Sequence, residues 1–150
     1  MDNQANIDLV KQCYDAYLKG DMPRLLSYMA PDIDWQLQQV EGVPFSGKRR
    51  GVDQVTEFVG MVAQAQEPRS FEPRDFVAQG DMVVVMGHYD WVVKATGAEF
   101  GSDFVHCFTI RDGKVTAFKE YMDTYAAAMA YFPQLSAAMG RAQPERPALH

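Results

Sequence analysis

The sequence is short of cysteine, of basic residues and of long apolar runs, and each shortage excludes a class of protein. Two cysteines, Cys13 and Cys107, in 150 residues cannot build a disulfide framework, so they are expected as reduced, mostly buried thiols in a cytoplasmic protein. Lys and Arg number 14 against 20 Asp and Glu, a formal charge of −6 at pH 7. Duplex binding needs clustered cations to displace counterions, so no nucleic-acid partner is expected. The longest strongly apolar run, residues 82–86, is far short of the ~20 residues of a membrane span, and no membrane partner is expected. The opening Met-Asp-Asn-Gln carries neither a basic nor an apolar leader region, so no secretory signal is expected. Walker loops, dinucleotide fingerprints, zinc spacings and a Ser-His-Asp order are all missing, and neither a metal nor an organic cofactor is expected.

What is present is ordinary globular material, 47% apolar and 12% aromatic. A chain of this length buries roughly 68–70% of its unfolded surface and needs no staple. One domain over residues 1–140 with a tail at 141–150 is expected.

Ile7, Val10, Tyr14, Tyr17 and Leu18 recur at helical spacing, and Gly20 ends the run. Asp21 and Pro23 start a short second helix carrying Leu25, Leu26 and Met29, with Pro31 as its stop. Ile33, Trp35 and Leu37 alternate with polar residues as a half-buried strand. After Gly51 a third helix gathers Val55, Phe58, Val59 and Val62 on one face. Strands are expected over 71–79, 82–94, 100–111 and 115–122, and Asp123 caps a last helix over 126–139. Helices first and strands after predict an α+β domain, a curved antiparallel sheet wrapped around N-terminal helices.

Charge interrupts the sheet at four places. His88 and Asp90 are two apart and share a face, and His106 and Glu120 lie on the next two strands. Two-residue turns would set His106 opposite Lys119. Three-residue turns at 95–97 and 111–113 pair even with even, giving the rows Met86/His106/Phe118, His88/Phe104/Glu120 and Asp90/Ser102/Met122. The second register is preferred because it groups Phe104, Phe108, Ile110 and Phe118 and leaves Lys119 outside. It leaves Val83, Val85, Tyr89, Trp91 and Val105 on the convex face, where so large an apolar surface predicts a homodimer through the sheet.

Carboxylates and imidazoles in an apolar cavity are suited to general acid–base work. Glu120 is the expected acid/base, Asp90 the residue that orients His88, and His106 a donor to an oxyanion. Tyr14, Tyr17, Trp35, Leu37, Phe58, Met61, Phe104, Phe108, Phe118 and Met122 are the expected lining of a pocket for a small hydrophobic molecule. The competing reading is a self-satisfied polar network that plugs the sheet. His88-x-Asp90 with His106 matches a two-His, one-carboxylate iron pattern, but so short a motif is common. Asp123 reads as a helix cap, and Lys48-Arg49-Arg50 as a solvated loop.

Gly20-Asp21, the run Ala30-Pro31-Asp32-Ile33-Asp34-Trp35, Phe45-Ser46-Gly47 before a helix, the run from Phe108 to Val115, and Phe118-Lys119-Glu120-Tyr121-Met122-Asp123 together resemble the SnoaL-like branch of the nuclear-transport-factor-two-like superfamily, over about residues 5–135. The resemblance implies a cone-shaped α+β roll whose members include isomerases, cyclases, epoxide hydrolases and non-catalytic modules. Limonene-epoxide-hydrolase-like members carry Arg-x-Asp where His88-Tyr89-Asp90 stands and an Asp where Glu120 stands. Ketosteroid isomerases carry their base near Leu37, a Tyr near Cys13 and an acid near His106, so two of the three roles have no counterpart. SnoaL-type cyclases use a single pocket carboxylate, which Glu120 matches. The expectation is a cofactor-independent enzyme isomerising, cyclising or hydrating a small oxygenated apolar molecule. The alternative is a non-catalytic ligand-binding or dimerisation module of the same fold.

Overall fold

The computed structural model describes residues 2–134, so the expected end of the last helix at 139 and the tail at 141–150 lie outside the described residues. Helix α1 (Asn3–Leu18) is capped by Asp2, whose carboxylate accepts from the Ala5 amide at 2.7 Å. Gly20, at φ 70°, turns the chain so that Asp21 N–H reaches the Ala16 carbonyl. Asp21 in turn caps α2 (Met22–Ser27), with Pro23 in its first turn as expected. Strand β1 (Met29–Leu37) contains Pro31 rather than starting after it. Proline has no N–H for the ladder, and the pairing of β1 with its neighbour slips between Met29 and Asp34.

Strand β2 (Lys48–Arg50) pairs with β1, and α3 (Val52–Ala65) buries Val55, Phe58 and Val62. The chain then runs directly into β3 (Gln66–Gln79), five residues earlier than the apolar pattern suggests. Pro68 and Pro73 mask its start. Both fall at irregularities of the pairing on an edge strand, where proline is tolerated. Strands β4 (Met82–Val93), β5 (Glu99–Arg111) and β6 (Lys114–Met122) follow. Asp123 caps α4 (Thr124–Tyr131) through the Ala126 amide, also as expected. The six strands run β2-β1-β6-β5-β4-β3, with β1 parallel to β6 and the other neighbours antiparallel.

The two hairpins decide which side chains face the helices. Between β4 and β5 the loop has four residues, 94–97, because Val93 N–H donates to the Ala98 carbonyl and Gly97 N–H to the Val93 carbonyl. An even loop pairs odd with even. Val85 therefore faces His106, and Tyr89 faces Ser102. This overturns the expected register: Val83, Val85, Tyr89 and Trp91, expected on the convex face, are buried under the helices. His88 and Asp90 project from the opposite side. The physical reason is that the odd residues of β4 carry the larger apolar surface, and the sheet buries the face that removes more of it from water. Val105 does lie on the outer face, as expected.

Between β5 and β6 the turn has two residues, Asp112 and Gly113, both at positive φ (52° and 72°). That turn alone would set odd against even. A bulge between Thr109 and Ile110 adds one residue and restores even against even. His106 then opposes Glu120 rather than Phe118, and Phe104 opposes Met122. Phe104, Phe108, Ile110 and Phe118 share the inner face and Lys119 stays outside, as expected. The core packs aromatic on aromatic: Trp35 stacks on Phe118 at 4.0 Å, and Phe104, 1% exposed, stacks on His106 at 4.2 Å. Phe104 also lies over Gly87, where any side chain would strike its ring and the Glu72 carbonyl.

Candidate functional site

Glu120 enters the inner face between two strands. On β1 its neighbour is Leu37, and on β5 it is His106. His106 Nε2 lies 2.8 Å from Glu120 Oε2, and His106 Nδ1 lies 2.7 Å from the Tyr14 hydroxyl on α1. Burial, and then the negative charge of Glu120, push the Tyr14 phenol well above its ordinary pKa, so it stays a donor. Tyr14 O–H therefore donates to Nδ1, which leaves the proton of a neutral His106 on Nε2 to donate to the Glu120 carboxylate. His106 is 3% exposed and the Glu120 side chain 15%. Two more phenols surround the carboxylate. Burial and then Glu120 raise Tyr17 to about 12, and the same two causes push Tyr89 up. One carboxylate thus faces three phenols that all keep their protons.

These groups line an otherwise apolar cavity of about 100 Å³ between α1, α3 and the sheet. A second cavity of about 40 Å³ lies under α4, walled by residues that include Gln38, Ser46, Phe100, Met122, Thr124 and Tyr131. Leu37, Phe45, Gln66, Tyr89 and Glu120 belong to both walls, so the two cavities adjoin across these residues.

Of the expected lining, Tyr14, Tyr17, Trp35, Leu37, Phe58, Phe108 and Phe118 form the main cavity, and Met122 the second. Two residues are placed elsewhere. Phe104 lies beneath His106 without reaching the void, and Met61 turns its sulfur to within 3.8 Å of Arg49 Nη2. Tyr89, Trp91, Phe71 and Gln66 line the cavity without having been expected there. The first two follow from the β4 register, and Gln66 was hidden because β3 begins before its apolar pattern. Arg49 is not a solvated loop residue: it donates to the Phe45, Ser46 and Pro44 carbonyls and lies over Phe58 at 5.4 Å. It thereby fixes the loop that presents Phe45 to both cavities.

The expected four-residue cluster separates into two. His88 and Asp90 belong to an outer-face network in which His88 Nδ1 meets Asp103 Oδ1 at 2.9 Å and Nε2 meets Asp90 Oδ1 at 3.2 Å. Ser70 Oγ donates to Asp90 Oδ2 at 2.8 Å. A side chain at Gly101 would strike the Asp90 carboxylate, so glycine there makes the network possible. The hydrogen bond to Asp103, then that to Asp90, raises the His88 pKa. Ser70 and His88 lower that of Asp90. Asp90 therefore orients a histidine on the outer face and not one in the cavity. The iron pattern is likewise divided between opposite faces, and among the described residues no group of three or more His, Cys, Asp or Glu is placed to hold a metal ion.

Comparison with known proteins agrees with this architecture. Residues 10–118 match the SnoaL-like domain family. An NTF2-like protein from Burkholderia xenovorans LB400 is 36% identical, with a TM-score of 0.81 over 87% of this chain and 98% of that one. TerC, co-crystallised with polyporic acid, is 30% identical, with a TM-score of 0.74 over 85% of this chain and 98% of its own. An uncharacterised protein of Mycobacterium tuberculosis is 26% identical over 133 residues, covering 88% of this chain and 99% of that one. The chain belongs to the SnoaL-like domain family, within the NTF2-like superfamily.

Proposed function

We propose that the chain is a cofactor-independent acid–base enzyme that isomerises, cyclises or hydrates a small, largely apolar, oxygenated molecule, with Glu120 as the group that moves the proton. The observation that carries this reading is the Tyr14–His106–Glu120 chain of hydrogen bonds at the wall of an apolar cavity. The carboxylate there has a strong partner in His106 and a weaker one in the Tyr89 phenol, which also hydrogen-bonds it. His106 N–H steadies Oε2, which leaves Oε1 to take a proton from a bound molecule. After transfer, Glu120 is a neutral acid whose other oxygen still accepts from His106 N–H, so the proton is held on Oε1 for return to the bound molecule. The co-crystallisation of TerC with polyporic acid supports a small organic ligand for this chain too.

The test is a thermal-shift screen of small oxygenated apolar compounds, followed by product analysis on the hits. Glu120→Gln keeps the shape and should cost ~10²–10⁴-fold in turnover, the usual contribution of a general acid or base. Ligands that stabilise the protein but are returned unchanged by the wild type would replace catalysis with simple binding.

The homodimer through the sheet is proposed on a different set of residues. Met82, Val84, Met86 and Val105 lie together on the outer face, with Tyr121 beside Val105 on β6. Met82, Met86 and Tyr121 are exposed large apolar side chains, and the strip is suited to a second copy of the chain. A cytoplasmic setting suits the two unpaired thiols.

A further inference from the structure

The outer face of the sheet carries charge of both signs, at opposite corners. Alternate residues of a strand share a face about 6.8 Å apart, so strand pairing sorts that face into rows. The central row is Asp75, Met86, Val105 and Tyr121. On one side of it lie Glu72, His88 and Asp103, and beyond them Ser70 and Asp90. On the other side the row of Val84, Cys107 and Lys119 continues through Gln36 on β1 to Lys48 on β2. Carboxylates therefore gather on β3, β4 and β5, and lysines on β6 and β2, at the two ends of a diagonal through Val105. The exceptions are neutralised where they stand: Arg74 is tied to Glu72 at 2.9 Å, and Asp34 to Arg50 at 3.6 Å.

Each corner keeps unused bonding capacity. His88 and Ser70 engage both oxygens of Asp90. Asp103 gives only Oδ1 to His88, its side chain is 90% exposed, and its Oδ2 has no partner among the described residues. Lys48 and Lys119 are exposed and enter no ion pair among the described residues.

We infer that the partner on this face is a second copy held in one orientation, with Lys119 of each copy set against Asp103 of the other. This deepens the homodimer reading and rests on it. In a two-fold dimer, a contact of residue i with residue j is repeated as j with i. A face with opposite charges on the two sides of an apolar centre is therefore complementary to itself. A two-fold axis lying in the interface at Val105, across the diagonal, brings the acidic corner of each copy onto the basic corner of the other. An axis along the diagonal would set like charge on like. A stable interface buries about 800 Å² per partner, a patch reaching roughly 16 Å from its centre. Asp103 and Lys119 lie about 7 and about 8 Å from Val105 by strand spacing, so both fall inside that footprint. The apolar row supplies the burial, while the charges select the orientation and suppress the wrong one. A foreign partner would have to match this diagonal, and the chain's own copy carries the match by construction.

The test uses the full chain with two reversals at exposed positions, Lys119→Glu and Asp103→Lys, and sedimentation equilibrium at low salt. Either variant alone places like charges at both contacts, and its dimer should weaken about tenfold. In an equimolar mixture, the mixed dimer joins the two reversed positions at one contact and the two native residues at the other. Isotope labelling of one variant and native mass spectrometry should then show the mixed dimer prevailing, at wild-type strength. Asp53→Lys makes the same change of charge in the first turn of α3 and should not recruit Lys119→Glu. Melting curves like that of the wild type show that the variants are folded. Single reversals that leave the dimer at full strength, or a mixture no stronger than its components, overturn the orientation and leave the sheet dimer standing. A dimer that survives Met86→Glu, or a wild type that stays monomeric, removes the interface and the orientation with it.

Discussion

His106 stands directly opposite Glu120 across β5 and β6, and it does so because of the bulge between Thr109 and Ile110. Without that extra residue, the two-residue turn at Asp112-Gly113 would set His106 against Lys119 and turn Glu120 to the opposite face, away from the cavity. The site is therefore made by an irregularity in the sheet, and bulges are common where a side chain must be re-aimed.

Glu120→Gln separates function from structure. A partly buried carboxylate paired with one histidine is held at a desolvation cost, so its amide should fold with a melting temperature unchanged or raised while turnover falls ~10²–10⁴-fold. Calorimetry on the variant beside a turnover assay decides it. A lowered melting temperature with activity intact would identify the pair as a structural plug.

Tyr14→Phe removes the donor to His106 Nδ1 and leaves a buried nitrogen without a partner. The expected cost is about 1–3 kcal/mol in denaturant unfolding, the penalty for such an orphaned group. Glu120, an acceptor-only carboxylate, still holds the proton on Nε2, so the tautomer should persist. The imidazole, untied on its other side, positions the carboxylate less firmly, and turnover should drop. Nitrogen chemical shifts of the imidazole read the tautomer directly. Stability and turnover both unchanged in the variant would contradict the role given to Tyr14.

How much of this was legible from sequence depended on the strand. β1 alternates cleanly at Ile33, Trp35 and Leu37, so its face was readable, and Asp21 and Asp123 announced their helices by cap chemistry. β5 and β6 gave the grouping of Phe104, Phe108 and Phe118, although their even pairing comes from a bulge that no residue type signals. β4 was not readable. Val83, Val84, Val85 and Met86 are apolar on both parities, so only the loop length could choose the face, and Lys94-Ala95-Thr96-Gly97 fits a three- or a four-residue turn equally well. One residue of slip moved His88 and Asp90 to the outer face and Tyr89 and Trp91 into the cavity wall.

That slip also redirects the test of the dimer. Trp91 is core, so Trp91→Glu should unfold the chain whatever its oligomeric state. Met86→Glu instead adds charge to an exposed position at the centre of the outer strip and should leave the fold intact. Sedimentation at micromolar concentration should show a dimer for the wild type and a monomer for Met86→Glu. A monomeric wild type, or a variant that still dimerises, removes the sheet as the interface.

The outer network gives a pH dependence that is separate from the cavity. His88 has its pKa raised by Asp103 and Asp90, so a protonated His88 is favoured in the folded chain over the unfolded one. Its contribution to stability is then fully present below the unfolded value, about 6.5, and is lost as pH rises through the raised folded value. Asp103→Asn removes the larger of the two causes. NMR titration should show the His88 midpoint falling toward the ordinary value, and denaturant midpoints should lose their decline over that pH window. Because His88 lies on the opposite face of the sheet from Glu120, the pH profile of any turnover should not move. A shifted activity profile in Asp103→Asn would mean the two networks communicate through the sheet, and a His88 midpoint that stays put would show that Asp103 does not hold the imidazolium.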